Sequence, residues 1–374
     1  MEITGIVCEY NPLHLGHKKQ LSLLREQFPD GATVCLMSGN FVQRGMPAVF
    51  DKSVRAEAAV RCGADLVLEL PVTACLSSAE GFASEGVRIL SLFCDRLCFG
   101  AESGDPEGIM STARALLQPE FSQALREQLA KGLSFPAARQ AALGSALLTN
   151  PNDILGVEYC KAILAQNSPM EPLVIRREGG YHDTAPDPEN PSATAIRAAI
   201  HGGKDWLSYV PGEARELFSN ATAHTMETGE RAVLARLRTM TEGEFEALPH
   251  GSEGLWRKLM GAVAAESTVQ QIAEATKSKR YTRTRIDRMI LCAYLGITRE
   301  MLAQPAPYVR VLAFNDRGRE VLKKARMAGA FVNAGERTNT EYEQLEYRCG
   351  RLYGLFAEFP EAPNIEEKRR VVSL

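Results

Sequence analysis

The stretch Gly5-Ile-Val-Cys-Glu-Tyr-Asn-Pro-Leu-His14-Leu-Gly-His17 decides the fold. It starts as a buried β-strand, passes through an Asn-Pro turn and ends in the first turn of a helix. His14 and His17 are three positions apart, so they project from one face of the helix start, beside backbone N–H groups and the positive end of the helix dipole. Gly16 leaves room for a nucleotide to approach the backbone. The pattern predicts a phosphate site that stabilises a nucleotidyl group in transfer without a covalent intermediate.

Strand and helix patterns alternate on both sides of this stretch. Helical patterns fall at 15–28, 51–62 and 78–92, with several more between 106 and 166. Strands separated by helices predict an α/β fold with a parallel sheet, which binds its ligand at the carboxyl ends of the strands. We therefore expect the chemistry just after Glu9, Ser38, Leu70 and Gly100. The candidate strands are 3–9, 33–38, 66–70, 96–100 and 173–177.

The second half of the chain has a different pattern. A Gly/Pro-rich loop at 179–192 precedes a short helix at 193–201, and the β signal fades beyond Trp206. Residues 230–303 have helical patterns with a break at 249–251, and a mixed tail follows from Tyr308. We expect a nucleotide-binding α/β domain over 1–205 and a mostly helical, basic region over 206–374.

A second motif, Ser192-Ala-Thr194-Ala-Ile-Arg197, lies where this loop meets the helix. Ser192 and Thr194 are both candidate N-caps, and Arg197 supplies a guanidinium near the helix start. Such a start suits the β- and γ-phosphates of a nucleotide while the HxGH turn holds the α-phosphate.

Composition excludes several classes of protein. The 374 residues are 45% hydrophobic and 24% charged, which excludes collagen, coiled coil and wholesale disorder. No apolar run approaches the roughly 20 residues of a membrane span, and no basic segment followed by an apolar one begins the chain. The nine cysteines are scattered without a CxxC, which favours reduced thiols, with Cys94 and Cys98 in the core. We expect a cytoplasmic protein with no membrane partner and no metal-ligating motif.

Positive charge is concentrated near the C-terminus. Residues 1–200 carry 17 Lys+Arg against 23 Asp+Glu, whereas 277–351 carry 16 against 8. This excess predicts a polyanionic partner, and a merely solvated basic face is the alternative. A tyrosine within the densest run can stack on an unpaired base. The cations proposed to contact RNA are Lys277, Lys279, Arg280, Arg283, Arg285 and Arg288.

The loop after the second strand predicts a pocket for a small carboxylate. Asn40 and Gln43 offer amide donors, and Arg44, Lys52 or Arg55 offers the cation. An ordinary polar loop is the alternative. The predicted substrate-binding residues are Ser38, Gly39, Asn40, Gln43 and Lys52.

HxGH followed by this Ser-x-Thr-x-x-Arg helix start resembles the HIGH-type nucleotidyltransferase superfamily, although Ala193 stands where a second Ser is usual. Five segments more closely resemble the bacterial tRNA(Met) cytidine acetate ligase family: GIVCEYNPLHLGH, MSGNFVQRGMPAVFDKSVRAEAAVRCGADLVLELP, PNDILGVEY, GGYHD with SATAIR, and KSKRYTRTRIDRM. The resemblance implies a Rossmann-like nucleotidyltransferase domain that activates acetate with ATP. It also implies transfer of the acetyl group to N4 of the wobble cytidine of elongator tRNA(Met), without acetyl-CoA.

The resemblance also implies residue roles. Asn152, locally a candidate helix N-cap, becomes an ATP contact. Arg176 and Arg177 must point to opposite faces of the strand, so only one of them can face the site, and the resemblance favours Arg177. Tyr181-His182-Asp183 is either a closing loop or a surface loop without function. Mg²⁺ is expected from the phosphate chemistry, although no motif announces its ligands. The implied catalytic residues are His14, His17 and Arg197, and the implied ATP contacts are Val7, Cys8, Glu9, Tyr10, Asn11, Pro12, His14, Gly16, His17, Gly100, Asn152, Arg177, Ser192 and Thr194.

Two other functions share some of these features. A small-molecule adenylyltransferase has the same HxGH core, but the basic region argues against it. The intact HxGH and Ser-x-Thr-x-x-Arg elements argue against a tRNA-binding module with a vestigial nucleotide site. The sequence does not indicate the oligomeric state.

Overall fold

The strands in the N-terminal part of the chain form a parallel sheet, as the alternation of strands and helices predicts. The computed structural model describes residues 1–144, 148–176 and 191–374. The first strands lie in the order β5-β2-β1-β6-β7 and are all parallel. A short antiparallel hairpin, β3–β4, follows β2. These strands are β1 (Ile3–Cys8), β2 (Ala32–Ser38), β3 (Phe41–Val42), β4 (Met46–Pro47), β5 (Leu66–Leu70), β6 (Arg96–Ala101) and β7 (Glu171–Arg176).

Every residue of β2 and β5 is buried, because helices cover both faces of the sheet. Cys94 and Cys98 are buried, as predicted. The short helix predicted at 193–201 forms over those residues. The helices of this part are α1 (Leu15–Gln27), α2 (Lys52–Arg61), α3 (Val72–Cys75), α4 (Ala79–Leu90), α5 (Pro106–Leu116), α6 (Pro119–Ala130), α7 (Phe135–Leu143), α8 (Pro151–Ala165) and α9 (Ala193–His201).

Helices dominate the next hundred residues, and the break predicted at 249–251 separates two of them. They enclose a second apolar core, which also receives Phe41 of the β3–β4 hairpin and Leu76. The apolar positions Ile286, Met289 and Ile290 all pack inward. These helices are α10 (Gly212–Ser219), α11 (Met226–Thr239), α12 (Glu242–Glu246), α13 (Leu255–Ala265), α14 (Val269–Thr276), α15 (Arg283–Leu295) and α16 (Arg299–Ala303).

The C-terminal tail returns to the sheet. Its first strand, β8, pairs antiparallel with β5 and then takes β9 and β10 as parallel neighbours. The regions before and after residue 205 thus share one sheet, and a domain boundary at that position stays a prediction. The elements of the tail are β8 (Val309–Phe314), α17 (Asp316–Ala328), β9 (Phe331–Asn333), α18 (Glu341–Tyr353), α19 (Ile365–Lys368) and β10 (Val372–Ser373).

Among the helices that the structure describes, none combines the length and the apolar character that a membrane crossing requires.

Candidate active site

The HxGH turn joins β1 to α1, and its histidines build the start of the helix. His14 is the N-cap, buried, and its Nδ1 accepts the Gly16 N–H at 3.2 Å. His17 Nδ1 accepts the His14 N–H at 3.3 Å, which completes a reciprocal capping box. The two rings stack with centroids 3.7 Å apart. The motif therefore fixes both imidazoles as part of folding the first turn.

This capping arrangement determines which ring nitrogen can donate. Because Nδ1 accepts a backbone hydrogen bond in both His14 and His17, the neutral rings carry their hydrogen on Nε2. A Cβ at Gly16 would lie 3.1 Å from His14 Cε1, closer than ordinary contact, so glycine keeps this ring in place. Two Nε2 donors beside a helix N-terminus are suited to bind phosphate oxygens.

The SATAIR helix start lies against this turn. Ser192 is the N-cap of α9, and its Oγ accepts the Ala195 N–H at 3.1 Å. Arg197 Nη1 donates to the Asn11 carbonyl oxygen at 2.6 Å, while Nη2 donates to Thr194 Oγ1 at 3.2 Å. The two motifs, 186 positions apart in sequence, are thus joined by a direct hydrogen bond.

Glu9 follows β1 and is surrounded by positive charge. Burial raises the pKa of its carboxyl group, and the charges of Arg197, Arg44 and Arg55 oppose that shift. Its Oε1 accepts the Gln43 N–H at 2.7 Å. Sequence reasoning placed Glu9 in the ATP site but missed its contact with the hairpin, which no local pattern reveals.

Arg55 connects the carboxyl ends of β1 and β2. Its side chain is fully buried and donates to the backbone carbonyls of Glu9, Ser38, Gly39 and Phe50. The carboxyl ends of β1 and β2 are therefore held together by one guanidinium. The expectation that Arg55 offers a cation to a substrate does not fit these contacts.

Lys52 is committed to other partners in the same way. Its ammonium lies 2.8 Å from both carboxylate oxygens of Glu69 and 3.0 Å from Glu366. Asn40 accepts the Lys52 N–H at 2.8 Å and donates from its side chain to Asp51 at 3.2 Å. Both predicted substrate residues thus hold together the buried start of α2, and neither side chain is positioned as an unengaged donor.

The end of β6 meets the start of α8. The predicted N-cap at Asn152 is wrong: the N-cap is Asn150, and Asn152 is the second residue of the helix. Glu102 binds this helix start, since its carboxylate accepts the Asn152 side-chain N–H at 2.7 Å and the Asp153 backbone N–H at 2.9 Å. Gly100 lies one residue before the end of β6. Arg177 and the Tyr181-His182-Asp183 loop lie outside the described residues.

The basic cluster divides into exposed and buried members. Lys277 and Lys279 are exposed, and Arg280 contacts Glu253 at 2.9 Å on the surface. Arg283 contacts Glu274 at 2.8 Å.

Arg285 and Arg288 lie deeper in the cluster. Arg285 donates to the His250 carbonyl oxygen and lies 5.0 Å from the Tyr281 ring centroid. Arg288 is only 7% exposed, so the prediction that it faces RNA does not fit its position.

The described residues provide no protein cage for a metal. Within 1–144, 148–176 and 191–374, no group of three His, Cys, Asp or Glu side chains is arranged to hold an ion.

Comparisons with known proteins agree with this geometry. A model of the HIGH Nucleotidyl Transferase family matches residues 1–368. The tRNA(Met) cytidine acetate ligase of Clostridium novyi is 36% identical over 348 residues, covering 87% of each chain. The chain belongs to the tRNA(Met) cytidine acetate ligase family.

Relatives and solved structures in the acetate ligase family cover almost the whole chain. The Caldanaerobacter subterraneus ligase is 37% identical and covers 87% of this chain and 86% of its own. The apo structure of Thermotoga maritima TmcAL superposes with a TM-score of 0.93 at 31% identity, with full coverage of both chains. The same enzyme bound to alpha-thio ATP gives a TM-score of 0.90 at 30% identity, again with full coverage. The predicted nucleotidyltransferase fold is confirmed.

Proposed function

We propose that this protein is an ATP-dependent ligase that forms acetyl adenylate and transfers the acetyl group to N4 of the wobble cytidine of elongator tRNA(Met). The observation that carries the proposal is the hydrogen bond between Arg197 and the Asn11 carbonyl, which unites two phosphate-binding helix starts in one site. The names of the relatives supply the acceptor and the acid. The Thermotoga structure with an ATP analogue supports ATP as the nucleotide.

In the first step, an acetate oxygen attacks the α-phosphorus of ATP, and the bond to the β-phosphate oxygen breaks to release pyrophosphate. His14 and His17 donate from Nε2 to the α-phosphate, where charge shifts in the transition state. Ser192, Thr194 and Arg197 hold the leaving pyrophosphate. Arg197 also fixes the turn that carries the histidines, so leaving-group binding and histidine position depend on one side chain.

In the second step, the cytidine N4 amine attacks the acetyl carbonyl, AMP leaves, and the amine loses a proton. The nucleotide lies along the end of β1, near Gly100 and Asn152. Its proposed contacts are Val7, Cys8, Glu9, Tyr10, Asn11, Pro12, Gly16 and Arg177, in addition to the phosphate ligands.

The acetate site lies at the loop after β2. Arg44 is half-buried, and its charge acts on Glu9 at the end of β1. We assign Arg44 as the cation for the carboxylate, with Gln43 as an amide donor and Ser38 and Gly39 as walls. Lys52 and Asn40 support this loop through their contacts with Glu69 and Asp51.

The exposed and half-buried cations of the C-terminal cluster bind the tRNA backbone. Such contacts supply affinity and orientation with little sequence information. Mg²⁺ is expected on the triphosphate of ATP, as the phosphate chemistry requires. A tRNA substrate of this kind supports a cytoplasmic location. The contacts assigned to RNA are Lys277, Lys279, Arg280, Arg283 and Arg285.

ATP–pyrophosphate exchange without tRNA tests the first step. We expect exchange that requires acetate, falls with propionate because the proposed substrate is the two-carbon acid, and is absent without a carboxylate. Exchange that is supported by a nucleotide acceptor instead of acetate would assign the protein to the small-molecule adenylyltransferases.

A further inference from the structure

The β3–β4 hairpin lies between the HxGH turn and the helical region. Phe41 is buried and packs edge-to-face on Tyr353, with ring centroids 5.8 Å apart. At the hairpin tip, Gly45 has φ +79° and faces the first turns of α15, where a Cβ would overlap the backbone nitrogen of Arg288. Only glycine fits this position without strain. The hairpin is therefore held against residues that are more than 240 positions away in sequence.

Gln43 connects the two sides through its backbone. Its N–H donates to Glu9 Oε1 at 2.7 Å, and its carbonyl oxygen accepts from Arg288 Nη1 at 3.2 Å. One peptide segment thus links the turn that continues into His14 to the helix that begins at the basic cluster.

The buried positive charge of Arg288 has few polar partners. Among the described residues it forms no ion pair, and its Nε is buried without a hydrogen-bond partner. Burial lowers the pKa of the guanidinium to about 10. Burying a charge with so few partners opposes folding, so stability alone does not explain an arginine here.

We propose that Arg288 is a positioning residue for the substrate loop, residues 39–45, and is not an RNA contact. Its guanidinium holds the Gln43 carbonyl, and the Gln43 N–H in turn meets Glu9, so the loop that carries Gln43 and Arg44 is fixed beside the acetate. This role rests on the proposed function for its substrate, although the contacts themselves do not depend on it. The basic motif then has two tasks: its exposed members bind RNA, and its buried member aligns the acid site.

The proposal predicts a selective kinetic defect. In Arg288→Ala, the KM for acetate rises about tenfold, while the KM for ATP and the affinity for tRNA change less than about twofold. Arg288→Lys recovers part of the acetate KM, because an ammonium can still donate to the Gln43 carbonyl. Arg299→Ala is the control, since Arg299 also donates to a backbone carbonyl, that of Glu246, but is exposed.

The test measures acetate-dependent ATP–pyrophosphate exchange, tRNA binding and hydrogen–deuterium exchange of the peptide covering 39–47 in these variants. Faster deuterium exchange in Arg288→Ala, unchanged in Arg299→Ala, together with the acetate defect, supports the proposal. Unaltered deuterium exchange overturns it, as does loss of tRNA affinity with normal acetate KM. If wild-type protein lacks acetate-dependent exchange, the proposed function fails, and deuterium exchange still decides whether Arg288 positions the loop. If Arg288→Ala does not fold, Gly45→Ala replaces it in the test. Gly45→Ala displaces the hairpin with Arg288 intact and should give faster deuterium exchange at 39–47 together with the raised KM for acetate.

Discussion

The guanidinium of Arg197 donates to the backbone carbonyl of Asn11 at 2.6 Å, so the helix start of the second motif supports the turn of the first. A second guanidinium nitrogen reaches Thr194 at 3.2 Å, on its own helix. Arg197 therefore has a structural contact and a proposed phosphate contact at once. Its removal should affect both nucleotide binding and the alignment of the histidines.

Arg197→Ala should weaken ATP binding about tenfold or more and also lower turnover, because charge-assisted contacts with pyrophosphate exist in both the ground and transition states. Arg197→Lys should have an ATP affinity between those of the wild type and Arg197→Ala, since an ammonium retains the charge without the planar fork of the guanidinium. Isothermal titration calorimetry with ATP measures the effect. Unchanged ATP affinity in Arg197→Ala would leave Arg197 with only its structural contact to Asn11.

The histidines can be tested without losing the helix cap. Asn is a good N-cap and Gln a good capping-box partner, so His14→Asn and His17→Gln should retain the thermal stability of the wild type. Each should still lower the turnover of adenylate formation by roughly 10² to 10³, because an amide N–H does not take the position of the imidazole Nε2–H that donates to transition-state charge. Pyrophosphate exchange at saturating ATP is the measurement, with thermal unfolding as the control. Near-normal turnover in either variant would remove that histidine from the chemistry.

His250 should make stability depend on pH. Burial, assisted by the charge of Arg288, lowers the pKa of its imidazole to about 4, and its Nε2 lies 2.8 Å from the Leu76 carbonyl oxygen. The folded state therefore keeps His250 neutral while the unfolded chain takes up a proton below about pH 6.5. The contribution of neutral His250 to the free energy of unfolding is therefore fully present above about pH 6.5. It is lost as the pH falls toward the pKa of the folded state, and the loss reaches about 2 kcal/mol at about pH 5.

Urea unfolding of His250→Gln across this pH range provides the check. Glutamine can donate to Leu76 without titrating, so the slope of unfolding free energy against pH should flatten relative to the wild type. His201→Gln, a substitution at an exposed histidine, is the matched control for the loss of an imidazole. Identical slopes for wild type and His250→Gln would show that His250 is not held neutral.

Arg280, which is exposed, and Arg283 and Arg285, which are half-buried, should govern RNA affinity. A triple Arg280→Ala, Arg283→Ala, Arg285→Ala variant should bind tRNA more weakly and show a salt dependence reduced by about one phosphate for each charge removed. Replacing Lys323, Lys324 and Arg326 of α17 by Ala removes the same number of positive charges from another surface and serves as the control. Filter binding over a salt series distinguishes them. Equal losses in both triple variants would indicate a diffuse electrostatic effect and place no RNA site at the cluster.

Local signals made much of this fold predictable. The HxGH turn and α9 follow from caps and periodicity within a few residues, since Ser192 supplies its own N-cap bond. Parallel strands also follow from their alternation with helices. By contrast, β8 pairs with β5 across about 240 positions of sequence, and no local pattern encodes that antiparallel neighbour.

The same distinction applies to the site. Residue types placed His14, His17 and Arg197 in one function before any geometry was known. Charge alone did not distinguish Lys52 and Arg288, which are buried against distant partners, from cations that face solvent. Such burial depends on tertiary packing, so a basic motif in sequence cannot assign each of its members.

The most direct test of the proposed function incubates the protein with ATP, isotopically labelled acetate and total tRNA, followed by digestion of the RNA and mass spectrometry of its nucleosides. The account predicts labelled N4-acetylcytidine that requires ATP and free acetate, and that does not require acetyl-CoA. It also predicts that omission of tRNA leaves pyrophosphate exchange intact. Two results would contradict this prediction. One is tRNA that stays unlabelled although the protein is folded and active in pyrophosphate exchange, and the other is label that appears in the tRNA without ATP.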